Sequence, residues 1–582
     1  MRAKNLALSM KLSTIVALLV LPGCMSPWFA SSEQSMESRR EAIREKLEGE
    51  DRPTLISQIG VPVLTQTRLQ NIALVTQLQN TGGEVRASSQ REKILNTMRV
   101  NNVDAPNAIL DSDTTAMVVA HANILPAAKR GEILDIAIDL SSHSTAESLA
   151  NGWVMESSLM EMSRLGGQVR EGFERAAIQG RIVTRKQITG EDTPEAALQG
   201  VIVGGGRLLK SRQLGVSVKK EFADALTMHA IVPAINTRFT YFDGTKKTGI
   251  AKPRQDNLIE IAIPPKYDLD PFHFINVVTE CSFNETEQQL ENRMAGLAEQ
   301  VNTPATCRKA CWQLEAIGER AIPYLAVGLD NPDPEIRFYA AHSLAYLNDD
   351  RSIPILAALC RTEPAFRAMC LNGLVKVDSF LATDTLRELV HAADPEVKYG
   401  AVIALRHRDP NDPLIAAQQM GQTGGLLEIP SNGPPLVAVS LSKTAEVAIF
   451  GNAPKLKIPE FHYVSKRIII ARKDANSYTL TRVMPGETDH SVTCGEDLRD
   501  ILKSIAEVGG AYGDWVQFVR ESHENGYFVE PLAMNPIPQT GRTYNRDGTE
   551  ATDTSLAPEE VAPAEQEAET GRLWYNPLTW AQ

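Results

Sequence analysis

The chain has no apolar run long enough to cross a bilayer as a stable helix; the short one near its N-terminus, Ile15 to Leu21, falls well below that length. Cysteine is scarce, seven in 582 residues, so the fold does not depend on a disulfide framework. An excess of basic charge is missing as well. A net charge of −13 argues against nucleic acid as a partner, because that ligand needs a basic face to displace counterions. The ten histidines are scattered, and no His-Glu-x-x-His, Gly-x-Ser-x-Gly or Cys-x-x-Cys occurs. Zinc protease, esterase and redox chemistries therefore lack their minimum parts. Gly204-Gly205-Gly206 lacks the further glycines or the Lys-Ser/Thr pair of a phosphate loop and predicts a tight strand turn. Asp135 and Asp139 lie four residues apart and share one face of a strand, the spacing of a solvated face more than of a catalytic dyad. No enzyme activity, catalytic residue, cofactor or metal site is expected.

What is present begins with a three-part N-terminus. Arg2, Lys4 and Lys11 supply positive charge, Ile15 to Leu21 a short apolar stretch, and Leu21-Pro22-Gly23-Cys24 small residues before a cysteine. The last four resemble a lipobox. The expectation is a lipoprotein signal peptide over 1–23, acylation of Cys24 and a tether held by several acyl chains. Met25, rather than an aspartate, follows the cysteine, which by resemblance to Gram-negative lipoproteins favours the outer membrane. Residues 24–65, charged and helix-prone, read as a spacer above that membrane.

The body reads as α+β. Over 66–301, short β-branched runs such as Ala116–Ala120 and Ile133–Ile138 predict strands, and Gln90–Met98 and Ala223–Asn236 predict helices. Residues 302–412 instead repeat. Pro304, Pro334, Pro364 and Pro395 recur every 30 or 31 residues. Each is followed after six by Ala310, Ala340, Cys370 or Ala401, and after ten by Leu314, Leu344, Leu374 or Leu405. In Asp333-Pro334-Glu335 and Asp394-Pro395-Glu396 the aspartate can cap a helix, the proline open it and the glutamate face its positive end. Stacked helix pairs of this kind form a solenoid and resemble HEAT repeats. Arg337, Arg367 and Lys398 follow three of the prolines by three residues and are the candidate partner surface. Cys307 and Cys311, one helical turn apart, read as small core residues. A Gly/Pro-rich stretch then leads to a second β/α region over 436–535, and 536–582, rich in Pro, Glu, Thr and Ala, reads as a disordered tail with an aromatic end.

Three stretches outside the repeats resemble the flagellar P-ring protein family: Ile72 to Gly83; Ala116 to Gly152, with Leu125-Pro126, Gly131, Asp135 and Ser141-Ser142; and Leu498 to Val519. Their shared order carries the resemblance. It implies a β-rich P-ring-like body interrupted by an α-solenoid. It further implies a structural ring subunit around the rod in the periplasm, supporting motor rotation. The implied partners are copies of itself, rod and L-ring proteins, and the outer membrane through its lipid. The chain departs from the family in its lipobox, its repeats and its eroded glycine motifs. The other reading is a non-flagellar outer-membrane lipoprotein scaffold that binds a partner through the repeats.

Overall fold

The computed structural model describes residues 27–48, 52–100, 102–165, 168–483 and 488–546. The signal segment, Cys24 and the aromatic C-terminal end lie outside the described residues.

Alternation of apolar residues builds the first layer. Strands Thr67–Thr76, Ala116–Ile124, Ile133–Leu140, Trp153–Leu165, Gln168–Arg181 and Gln199–Leu208 pair antiparallel, and Ile133–Leu140 also pairs with Gln199–Leu208. The sheet thus closes into a six-stranded barrel. Its narrow interior is filled by small or branched side chains, among them Ala73, Val75, Val118, Ala120, Ile138 and Ala176. The odd partners in the alternation point out. Leu74 and Met117 pack beneath Leu95 and Met98 of helix Ser89–Val100. Gly204 does not make the predicted turn. It lies inside the last barrel strand at φ +62°, where the pairing to Ile133–Leu140 slips register between Leu134 and Ile136, a bulge that glycine permits.

Beside the barrel, strands Gly60–Pro62, Leu214–Val218, Leu258–Ile261 and Ala251–Gln255 form a second sheet. Helices Ala225–Arg238 and Pro271–Thr279 cover it through Ile231, Ile235, Phe274 and Val278. The N-terminal helix Pro27–Glu48 lies against this body through buried Ile43, and the carbonyl of Leu47 accepts from Asn284 Nδ2 at 2.6 Å. It is docked as well as charged.

The repeats form two ranks of helices. Cys307–Ile317, Pro334–Tyr346, Arg367–Lys376 and Pro395–Arg408 stack in one; Glu287–Val301, Ile322–Ala326, Ser352–Thr362 and Phe380–Leu389 line the other. Each repeated leucine and small residue is buried in one continuous core, none above 1 % exposed. Asp333 and Asp394 cap as expected, accepting from the Glu335 and Glu396 amides at 2.9 Å. Pro334 and Pro395 open their helices. Pro364 instead opens a single 3-10 turn before helix Arg367–Lys376, and Pro304 precedes its helix by three residues. All six cysteines of the described chain are buried and unpaired.

The Gly/Pro-rich stretch yields strands Ala417–Met420 and Gly424–Ile429. They join Glu446–Phe450, Leu436–Val439 and Leu532–Met534 in a mixed five-stranded sheet. A four-stranded meander, Phe461–Tyr463 to His490–Gly495, and helices Leu498–Glu507 and Tyr512–Glu524 complete this C-terminal body around buried Trp515. The three parts share cores. Val183, Ile188 and Val201 of the barrel region join the core of the C-terminal body. Leu427, Ala438 and Phe450 join that of the solenoid. Ala316 and Tyr346 of the solenoid join the second sheet's core. The solenoid is therefore held at both ends rather than projecting as a free arm.

Candidate functional site: the seams between barrel, solenoid and C-terminal body

The seam between barrel and C-terminal body is a polar network. Asn151 Nδ2 donates to Asp514 Oδ1 at 2.7 Å, and Asn151 Oδ1 accepts from Gln187 Nε2 at 3.1 Å. Asp514 also accepts from the Ala511 amide at 2.8 Å, and Arg520 Nε donates to the Gln187 carbonyl at 3.2 Å. Burial pushes the Asp514 carboxyl above the usual range, against the pull of these hydrogen bonds. A Cβ on Gly513 would meet Asn151 Oδ1 at 2.5 Å, so the helix start approaches the barrel as only glycine allows. Asn151 and Asp514 stand 363 residues apart in sequence. The seam brings these two stretches of chain together.

Asp135 is the second tie. It accepts from the Gly204 and Lys443 amides at 2.8 and 2.7 Å and from the Ser442 hydroxyl at 2.7 Å. Neither aspartate of the predicted solvated face is free. Asp139 is part-buried 3.5 Å from His121 Nδ1, and burial lifts its carboxyl while pushing His121 down to about 4. The Gly204 bulge is what presents its amide to Asp135. Gly204→Ala places a Cβ 2.3 Å from the Lys443 carbonyl at φ +62°, so we expect a loss of more than about 1 kcal/mol. Denaturant unfolding of the variant checks it.

At the other seam, Glu315 of the solenoid is fully buried. It accepts from Tyr267 Oη at 2.9 Å and from His273 Nε2 at 3.0 and 2.9 Å. Arg238 donates to the carbonyls of Glu315 and Ala316 at 2.8 and 2.9 Å. His342 and Asp270 face each other beside this pair at 3.7 Å. Burial disfavours the His273 charge, but the Glu315 carboxylate more than offsets it and raises the imidazole; burial holds His342 neutral. Among the described residues no group of three or more His, Cys, Asp or Glu side chains could hold a metal ion.

The three repeat cations do not form an outward patch. Arg337 Nη1 donates to the carbonyls of Asn331 and Pro332 at 2.8 and 2.7 Å. Buried Arg367 bridges Glu396 at 2.9 Å and Asp394 at 2.7 Å. Lys398, fully buried, donates to the Pro434 carbonyl and lies 5.3 Å above the Phe450 ring. Their repeat spacing places them at helix N-termini, where they tie one repeat to the next or to the C-terminal sheet. Lipid attachment at Cys24 lies outside the described residues.

The start of the segment read as disordered forms a strap. Residues 535–546 run over the solenoid, with Arg542 donating to both Glu396 carboxylate oxygens at 2.7 and 2.6 Å. Tyr544 stacks on Phe366 at 4.9 Å, and Arg546 pairs with Asp333 at 3.3 Å and with Glu335. The acidic Asp-Pro-Glu helix starts thus receive the strap's two arginines. Losing charge-assisted bonds costs about 1.5–3 kcal/mol, so Arg542→Ala should release the strap locally. Faster trypsin cleavage after Arg546, with the solenoid otherwise intact, is the expected readout.

Shared cores and buried polar networks thus join the closed barrel, the second sheet, the solenoid and the C-terminal body. Residues 60–291, the barrel and second sheet, match the flagellar P-ring protein family, a family of structural ring proteins, and residues 295–368 match HEAT repeats. The first part of the chain is thus similar to the P-ring family and the part that follows to HEAT repeats. No curated protein matches it significantly.

Proposed function

We propose that this protein is the subunit of a P-ring-like assembly of the flagellar basal body, encircling the rod in the periplasm and supporting motor rotation. The P-ring match over residues 60–291, which coincides with the barrel and second sheet, carries this reading. A closed ring needs two different complementary faces on each subunit, and the barrel body supplies them. Rod and L-ring proteins are the neighbours, and Cys24 is the lipid attachment that holds the assembly at the outer membrane. The C-terminal region 436–535 completes the ring body, since it shares a core and the Asn151–Asp514 network with the barrel. The solenoid contacts a neighbouring envelope or ring protein through its surface helices. Isolation of hook–basal bodies from the source cell tests the reading. Co-purification in many copies per particle is expected, and absence from clean basal bodies would overturn it.

A further inference from the structure

The cleft on the barrel's seam with the C-terminal body is not explained by ring assembly. It has a volume of about 460 Å³, and its floor is the Asn151–Asp514 pair. Three guanidinium groups enter it: Arg181 from the barrel and Arg467 and Arg482 from the meander. Their existing duties are light. Arg181 Nη1 donates to the Asn151 carbonyl at 3.1 Å while its guanidinium lies 5.7 Å over the Trp153 ring, and Arg482 Nη1 donates to the carbonyls of Val508 and Gly509 at 3.2 and 2.9 Å. The half-buried Arg467 side chain has no hydrogen-bond partner among the described residues. Asp514 is the one carboxylate in the lining, and it is already engaged by Asn151 and the Ala511 amide. Three guanidiniums face one carboxylate there, which leaves an excess of positive charge in the recess. Burial works against the charge of Arg181, and Arg482 adds to this while Asp514 opposes it.

The rest of the lining is built for polar contact. Gln77, Gln79, Asn80, Thr114 and Ser465 offer amides and hydroxyls. Gln77, Asn80 and Asn151 hold left-handed backbones at φ +61°, +56° and +58°, conformations that cost free energy in non-glycine residues and gather where a surface is shaped for a task. Planar guanidiniums match carboxylate and phosphate oxygens two at a time. We infer that this cleft is a binding site for a small oxyanion ligand, a carboxylate or phosphate carried on a hydroxyl- or amide-bearing body, with Arg467 as its principal anchor. The inference does not depend on the flagellar reading; it needs only the barrel–meander seam.

Isothermal titration of the full-length protein at low ionic strength, with citrate and separately with inorganic phosphate, tests it. One saturable site is expected, with stronger binding of citrate assigning a carboxylate ligand and the reverse a phosphate. Arg467→Gln should weaken binding about tenfold or more, the loss of one charge-assisted hydrogen bond, with an unchanged melting temperature. Hydrogen exchange of the unmodified protein should slow at residues 77–80 and 509–511 on ligand addition. This second readout holds even if the variant misfolds. No saturable binding of either anion, protection elsewhere, or equal affinity in a folded Arg467→Gln protein would overturn the assignment.

Discussion

Arg406→Ala is expected to lower stability by about 3 kcal/mol, the range for stripping one partner from a buried ion pair. Glu446, on the C-terminal sheet, is 1 % exposed and accepts from Arg406 Nη2 at 3.0 Å through both oxygens. Tyr399 Oη adds a bond at 2.6 Å. Arg406 and Tyr399 both come from the last solenoid helix, Pro395–Arg408, so the pair joins solenoid to sheet. Removing the cation leaves a carboxylate with nowhere to find water. The guanidinium keeps 30 % exposure, which puts the loss at the lower end of the range. Arg406→Ala combined with Glu446→Gln should recover much of it, because an amide tolerates burial where a lone charge does not. Thermal melting of the single and double variants checks this. A double variant no better than the single would show that packing, not the stranded charge, sets the cost.

Glu315→Ala is expected to cost a similar amount, about 3–5 kcal/mol, since it strands the Tyr267 hydroxyl and the His273 imidazole together. The same pair sets a pH dependence. The folded chain raises the His273 pKa above 6.5, so its contribution is full below that value and is lost as pH rises through the folded pKa. His342 has the opposite sign. Its pKa is lowered, so its contribution is lost as pH falls below 6.5. Burial lifts the carboxyl of Asp270, which faces His342; its proton uptake opposes that acid loss at lower pH. Stability should therefore peak near the ordinary histidine pKa. Glu315→Gln should remove the alkaline limb and keep the acid one, read as unfolding midpoints between about pH 5 and 8. An unchanged alkaline limb would place its origin elsewhere.

How far the sequence carried the reading depended on distance along the chain. Repeat spacing is local, so Leu314, Leu344, Leu374 and Leu405 fall in the core as their period requires, and Asp333 and Asp394 cap where the motif puts them. Strand alternation is also local, and Ala116–Ala120 and Ile133–Ile138 are strands. Barrel closure is not local. It needs Ile136 to meet Ile202 across the chain, and no pattern within either strand encodes the partner. The same holds for Asn151 with Asp514. Arg367 and Lys398 misled because a charged residue at a helix start reads as exposed, whereas acidic caps of the next repeat and a loop carbonyl draw both inward. Composition averaged over the tail concealed Arg542, Tyr544 and Arg546, which contact the acidic helix starts and Phe366.

Cross-linking mass spectrometry of purified basal bodies tests the central claim most directly. Links between different copies should join two distinct faces of the 60–291 body, repeated around a closed ring, with solenoid residues linked outward to other proteins. Inter-copy links confined to the solenoid, or none at all, would contradict the account.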